Sequence, residues 1–320
     1  MLRMLLGAFC FCTLPCKAIV FEATGDPGHN TTAPTGAFAN SGWQYEGTYG
    51  SYLGTMIAPQ YFITAQHIGT QGTTFTSSGI FNGGSDITYN IDTAANGGLG
   101  YWDISGTDLR LFKIQGTFST YAPLYTGSSE VGMTMEINGR GGPRGADVIV
   151  GGTLQGWEAT SPDGVARWGS NTVSSIYSSA VGNLLTATFS ASGTAEEATL
   201  SNGDSGGGVF VNDGGIWKLA GVNYSVDGMF DTNNTVGDGS EFNAALTDRG
   251  GLYQGSDAFG WTFIPQLPVD NPSSMYASRI STSSAEIMAI TAVPEPGSAL
   301  LAMLALSFAV FPRRRITRRA

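Results

Sequence analysis

Asn202, Gly203, Asp204, Ser205, Gly206, Gly207 and Gly208 lead straight into Val209 and Phe210. Three glycines in a row after a serine remove the Cβ atoms that would crowd a tight turn with positive φ. The apolar pair behind them reads as the start of a strand. Such a turn displays the Ser205 hydroxyl and leaves neighbouring N–H groups to point at a ligand. A serine is a weak nucleophile until a base takes its proton and donors wait for the oxyanion. The chain has candidates for both missing parts. Ile63, Thr64 and Ala65 form a β-rich run that ends in Gln66 and His67, and Asp108 heads the apolar run of Leu109, Leu111 and Phe112. His67 precedes Asp108 by 41 residues, and Asp108 precedes Ser205 by 97.

The background around these segments is β. Forty-six glycines, with frequent Ser, Thr and Asn and few helix-periodic stretches, read as short strands joined by turns. Strand signals run through Ser51–Ile57, turn at Ala58–Gln60, and resume at Tyr61–Ala65. A second half begins at Val131, with strands around Glu136–Gly141, Leu184–Phe189 and Trp217–Ser225, and Phe242–Leu246 is expected to start a last short helix. A chain of 320 residues is long enough to bury a sizeable core as one two-lobed domain or two small ones.

At the three chemical segments the sequence resembles the chymotrypsin-like (trypsin-fold) serine proteases. The family marks are G-D-S-G-G, a T-A-A-H-type box and a D-I-A-L-type strand, in the order His, Asp, Ser. The resemblance implies two six-stranded antiparallel β-barrels with the active site between them. It implies His67, Asp108 and Ser205 as the catalytic triad, and the N–H groups of Gly203 and Ser205 as the oxyanion hole. Asp103 is a rival for the acid, and Asp108 is preferred because the strand it heads fits the family box. His29, the one other histidine, sits in a loop of Gly, Asn and Pro with no such context. In the family the pocket floor lies six residues before the nucleophile, here Thr199, and Asn223, Tyr224 and Ser225 fall on the substrate-binding strand. Thr199 is not an aspartate and Ser225 replaces a frequent glycine, so cleavage after Arg or Lys is disfavoured unless Glu196 or Glu197 turns inward. Gln66 departs from the usual alanine and Arg140 from a usual tryptophan. The expected substrate is a polypeptide, with no metal and no organic cofactor. The competing readings are an inactive protease-fold protein and a glycine-rich matrix or adhesion β-protein.

The two ends read differently from the body. Residues 1–18 have a basic start, an apolar run and small residues before a cut after Ala18, as in a signal peptide. Cys10, Cys12 and Cys16 lie in that segment, so the body can form no disulfide. Residues 19–265 are assigned to the protease domain, 266–292 to a Pro-, Ser- and Thr-rich linker, and 293–320 to a sorting tail. Val293, Pro294, Glu295 and Pro296, an apolar run and Arg313–Arg315 resemble the PEP-CTERM signal of Gram-negative exopolysaccharide-producing bacteria. That resemblance implies export, processing by signal peptidase and an exosortase-like enzyme, transient membrane association, and a final place in the cell envelope or outside the cell. Setting aside Arg3, Lys17, Glu295 and the five tail arginines leaves eight basic and 24 acidic residues, a net charge near −16. Such a body repels nucleic acid. Asp227, Asp231, Asp238 and Glu241 fall in a Gly- and Asn-rich loop whose spacing matches no defined calcium loop, so a solvated turn is the ordinary reading. A cut after Ala18 would also expose an Ile19 ammonium, which in the resembling proteases would pair with the aspartate before the serine, here Asp204.

Overall fold

Aromatic and β-branched residues dominate Tyr61–Ala65 and Leu109–Lys113, and the two runs pair antiparallel with Phe62 opposite Phe112 and Ala65 opposite Leu109. The computed structural model describes residues 19–292, and this ladder is the centre of its first barrel. The sheet order is Ile87–Asn90, Thr74–Ser77, Glu46–Tyr49, Tyr52–Ala58, Tyr61–Ala65, Leu109–Lys113 and Tyr101–Asp103. Its two outer segments are halves of one strand, interrupted by residues 92–100, where Asn96, Gly97, Gly98 and Gly100 have positive φ. A bridge from Ile91, at the end of the first segment, to Ile114, just past Leu109–Lys113, brings that segment onto the same strand that Tyr101–Asp103 pairs with, so six strands close on themselves. Stacked rings fill the interior, with Phe62 4.2 Å from Phe75 and 5.1 Å from Phe112.

The second barrel repeats the plan. Its order is Arg167–Thr172, Thr134–Gly139, Gly208–Asp213, Ile216–Val226, Ser274–Arg279, Gly182–Thr188 and Ser175–Ser179. Arg167–Thr172 and Ser175–Ser179 are again one strand, bent at Val173 and Ser174, and they close the sheet. Ile137, Leu185, Val209, Ala220 and Ala277 are fully buried here, an aliphatic interior in place of the aromatic one. The fold is therefore all-β, with two six-stranded barrels.

Two excursions leave the second barrel and meet. The hairpin Arg144–Val150 with Thr153–Ala159 takes Ala244–Leu246 as a third strand, and Phe230–Asp231, Tyr253–Ser256 and Gly260–Phe263 form a small sheet beside it. Val148, Phe230, Leu246 and Leu252 give these excursions a core of their own. The segment from Phe242 to Leu246 is thus not the start of a helix: Phe242 bridges Phe230, and Ala244–Leu246 is a strand that completes the edge of that hairpin.

The linker expectation is also corrected. Ser274–Arg279 lies in the second barrel between Ile216–Val226 and Gly182–Thr188, and the helix Ser284–Thr291 follows it. Small residues there are a packing requirement: Ala277 lies against Gly221, where an added Cβ would come within 3.1 Å of it. The helix sends Ile287 into the first barrel's core, tying the last described segment across both lobes. The domain therefore runs to the end of the described residues. The proposed signal peptide and sorting tail lie outside them. Among the described residues no helix is long and apolar enough to cross a membrane.

Candidate active site

The pairing of Ala65 with Leu109 brings the residues after one strand beside the residue before the other. Gln66 donates its N–H to the Asp108 carbonyl at 2.7 Å, and His67 donates its own N–H to Asp108 Oδ1 at 2.8 Å. Asp108 Oδ2 then lies 2.6 Å from His67 Nδ1. The carboxylate is 4% exposed, so it holds the ring from a dry position, while the ring's other edge opens into the cleft. Thr107 fixes the approach, bonding the Ile104 carbonyl at 2.9 Å and receiving the Leu109 N–H at 3.1 Å. His67 Nε2 is 2.8 Å from Ser205 Oγ, and the Tyr224 ring stands edge-on to the imidazole at 5.6 Å.

Ser205 reaches this position on a loop that no strand pairs. Gly206 has φ +85°, and a Cβ there would fall 2.2 Å from Thr64 Oγ1 and 2.6 Å from the Leu53 carbonyl oxygen, so only glycine lets the loop press on the first barrel. Beneath it Asp204 is buried, accepting N–H bonds from Gly141 at 2.6 Å and Ser201 at 2.7 Å. Burial pushes its pKa up to about 6 even with those donors. The Asn223 side chain, also buried, donates to the carbonyls of Asn138 at 2.6 Å and Asp204 at 3.0 Å. Among the described residues the N–H groups of Gly203 and Ser205 donate to no protein acceptor.

A cavity of about 370 Å³ opens beside Ser205. Asn223, Tyr224 and Ser225 line it, with Leu200, Ser201, Val226 and Asn243. Thr199 does not. It is buried where Val20 pairs with it, and the wall is made by the two residues that follow. Glu196 and Glu197 also stay away: Glu196 binds His29 at 2.7 Å, and Glu197 accepts the N–H groups of Ser190 and Thr194. Asp103 is occupied by Arg110, which reaches its two oxygens at 2.6 and 3.0 Å, and is not the acid beside His67. Arg140 spends its guanidinium on the carbonyls of Gly164 and Gly50, not on Asp204.

Sequence reasoning missed three features of this region. Asp227 lines the cavity, but Arg249, Tyr276 and the Ser274 N–H take its oxygens. Asn223 is a clamp on the nucleophile loop as well as a wall residue. Glu46 and Glu136 are both fully buried where the barrels meet, near Gly208, and no ion pair reaches either among the described residues. Only the asparagine has a sequence signal, its place on the substrate strand.

None of the curated proteins compared with the chain matches it. Among solved structures it is similar to the passenger domain of plasmid-encoded toxin, an autotransporter enterotoxin from enteroaggregative Escherichia coli, at 13% identity and a TM-score of 0.43. That likeness covers 77% of this chain and 22% of the passenger-domain chain, so this chain spans about a fifth of that chain's length. The trypsin family model matches residues 31–238. A match that begins ahead of the first barrel, passes through the histidine and aspartate strands and ends beyond the nucleophile loop makes this chain a member of the trypsin family.

Proposed function

We propose that the protein is a serine endopeptidase working through Asp108, His67 and Ser205. The observation that carries this reading is the unbroken line of contacts from the buried carboxylate through both ring nitrogens to Ser205 Oγ. His67 Nε2 takes the hydroxyl proton as Oγ bonds to a peptide carbonyl carbon, and Asp108 holds the ring in the tautomer this requires. The N–H groups of Gly203 and Ser205 meet the oxyanion, a contribution of roughly 10²–10³ in rate per donor in such sites. His67 then gives the proton to the leaving amine, the C–N bond breaks, and water repeats the sequence on the acyl-serine. Gln66 does not weaken this reading, since it meets Asp108 through its backbone.

The cavity supports a preference for small or mid-sized uncharged side chains. Its wall holds Leu200, Ser201, Tyr224 and Val226, and both of its acids are engaged, Asp204 by the N–H groups of Gly141 and Ser201 and Asp227 by Arg249. The test is a peptide-library digest with the wild type and with Ser205→Ala as control. Cleavage lost in the variant supports the endopeptidase, and a profile led by Arg and Lys would sink the specificity.

Export and tail removal remain part of the proposal, checked by intact mass of the secreted protein. So does an Ile19 ammonium beside Asp204. Ile19 is 2% exposed, and its side chain flanks the Asp204 carboxylate at Gly139. It also carries φ +50°, unfavourable for a β-branched residue but undefined for a chain that starts there. Proteins starting at Ile19 and with one added alanine should differ in activity, and equal activity rules the pair out.

A further inference from the structure

Three carboxylates converge on the loop that follows the substrate strand. Asp231, Asp238 and Glu241 each place one oxygen within 4.8 Å of the others. No Lys, Arg or His forms an ion pair with any of them among the described residues. Asp231 is fully buried in the short strand Phe230–Asp231. Its Oδ1 is served by the Asn233 N–H at 3.1 Å and by Ser240 Oγ, but its Oδ2 is buried without a donor. A buried carboxylate oxygen left bare costs free energy that the fold must recover.

The proton count points the same way. Ser240 Oγ lies 2.6 Å from Asp231 Oδ1 and 2.6 Å from Asp238 Oδ1, yet it has a single proton to give. With both carboxylates ionised, one of these two short contacts brings together oxygens with no hydrogen between them. Asn233 donates to Asp238 Oδ2 and to Ser240 Oγ, and so adds no proton to the contested contact. A positive charge among the three carboxylates would offset that repulsion and give the under-served Asp231 carboxylate a partner.

We propose that Asp231, Asp238 and Glu241 bind a calcium ion. The donors are all hard oxygens, with no His or Cys to favour a transition metal. Calcium holds oxygens at about 2.3–2.6 Å, so ligands on its shell sit up to roughly 5 Å apart, which accommodates the observed spread. Magnesium demands a tighter octahedron at about 2.1 Å, a poorer match to three side chains on a glycine-rich loop. Water completes the shell on the exposed Asp238 side.

The site has a consequence for the cleft. The loop it pins leaves the cavity wall at Asp227 and Gly228 and returns to it at Asn243. Calcium therefore fixes both ends of the segment that forms this wall. Binding itself is independent of the endopeptidase reading; only its effect on substrate affinity rests on that reading.

The test uses the chelator-treated protein, with thermal unfolding followed as calcium chloride or magnesium chloride is added. The expected result is a Tm that climbs with the logarithm of calcium concentration. Asp238→Asn and Glu241→Gln, both substitutions outside the buried core, should each raise the calcium needed by about tenfold or more. Chelator should also raise KM for peptides severalfold while kcat changes little. A wild-type Tm indifferent to calcium up to about 1 mM, the range of extracellular sites, overturns the proposal. An undiminished calcium response in both variants overturns it as well, since the ion would then sit elsewhere. Equal stabilisation by magnesium overturns the choice of calcium.

Discussion

The two barrels present the proposed catalytic residues by different physical means. In the first, His67 and Asp108 sit at the ends of directly paired strands, and the register that places Ala65 opposite Leu109 sets their distance. In the second, Ser205 rides on an unpaired loop held by buried polar contacts, Asp204 to Gly141 and Ser201, and Asn223 to two carbonyls. The interiors differ too. Stacked aromatic rings fill the first, while the second is mostly aliphatic. A base and its acid can thus be fixed by a sheet ladder. A nucleophile with its oxyanion donors needs backbone N–H groups left unpaired, so it cannot lie within one.

Substitution at the centre of the comparison should give the largest effect. Ser205→Ala or His67→Ala should lower kcat by about 10⁴–10⁶ with Tm almost unchanged, since neither side chain builds a core. Steady-state kinetics and thermal unfolding on the same samples check both halves.

The ladder's own contribution comes next. Asp108→Asn should cost about 10⁴ in kcat by stabilising the wrong tautomer, whereas Asp103→Asn should leave kcat within a few-fold because its partner is Arg110. The reverse ranking would remove Asp108 from the mechanism.

Stability separates the interiors. Phe62→Ala breaks the ring stack with Phe75 and Phe112 and should cost about 3–5 kcal/mol in denaturant unfolding. The remaining folded protein should keep its per-site activity, because the strand ladder survives.

The smallest effect lies where the barrels meet and depends on pH. Burial pushes the Glu46 pKa up to about 8, and burial together with Glu46 pushes Glu136 well above the usual carboxylate range. Both carboxyls keep their protons in the folded state after the unfolded chain has lost them. The contribution of Glu46 to stability is therefore complete below about pH 4.5 and is lost progressively up to about pH 8, and that of Glu136 is likewise lost as pH rises. Glu46→Gln removes the Glu46 part of that loss. It should stabilise the protein by a few kcal/mol at pH 8 and by almost nothing at pH 4. A variant no more stable than wild type at pH 8 contradicts the assignment.

What could be read from the sequence follows from how local each requirement is. Ser205, His67 and Asp108 stand in short segments whose glycines and flanking strand residues are themselves required by the site, so a few neighbours identify them. Ser274–Arg279 was hidden because its packing demands small residues, and Ser, Ala and Pro around it look like a linker. Thr199 illustrates a register problem: counting back from Ser205 lands on the buried residue of the pair with Val20, one place before the wall. The carboxyls of Glu46 and Glu136, 90 residues apart, meet only because two barrels close, which no local pattern records. The convergence of Asp231, Asp238 and Glu241 likewise depends on turns at Gly237 and Gly239 and on Ser240 lying between acids.

The central claim is that His67 activates Ser205, and reaction with a fluorophosphonate probe tests it most directly. The rate of labelling is followed by intact mass, the modified residue is located by peptide mapping, and wild type is compared with His67→Ala. The account predicts a single adduct on Ser205 and labelling all but abolished in the variant. A folded wild-type protein that takes no label, or a His67→Ala variant that labels as fast as wild type, would contradict it.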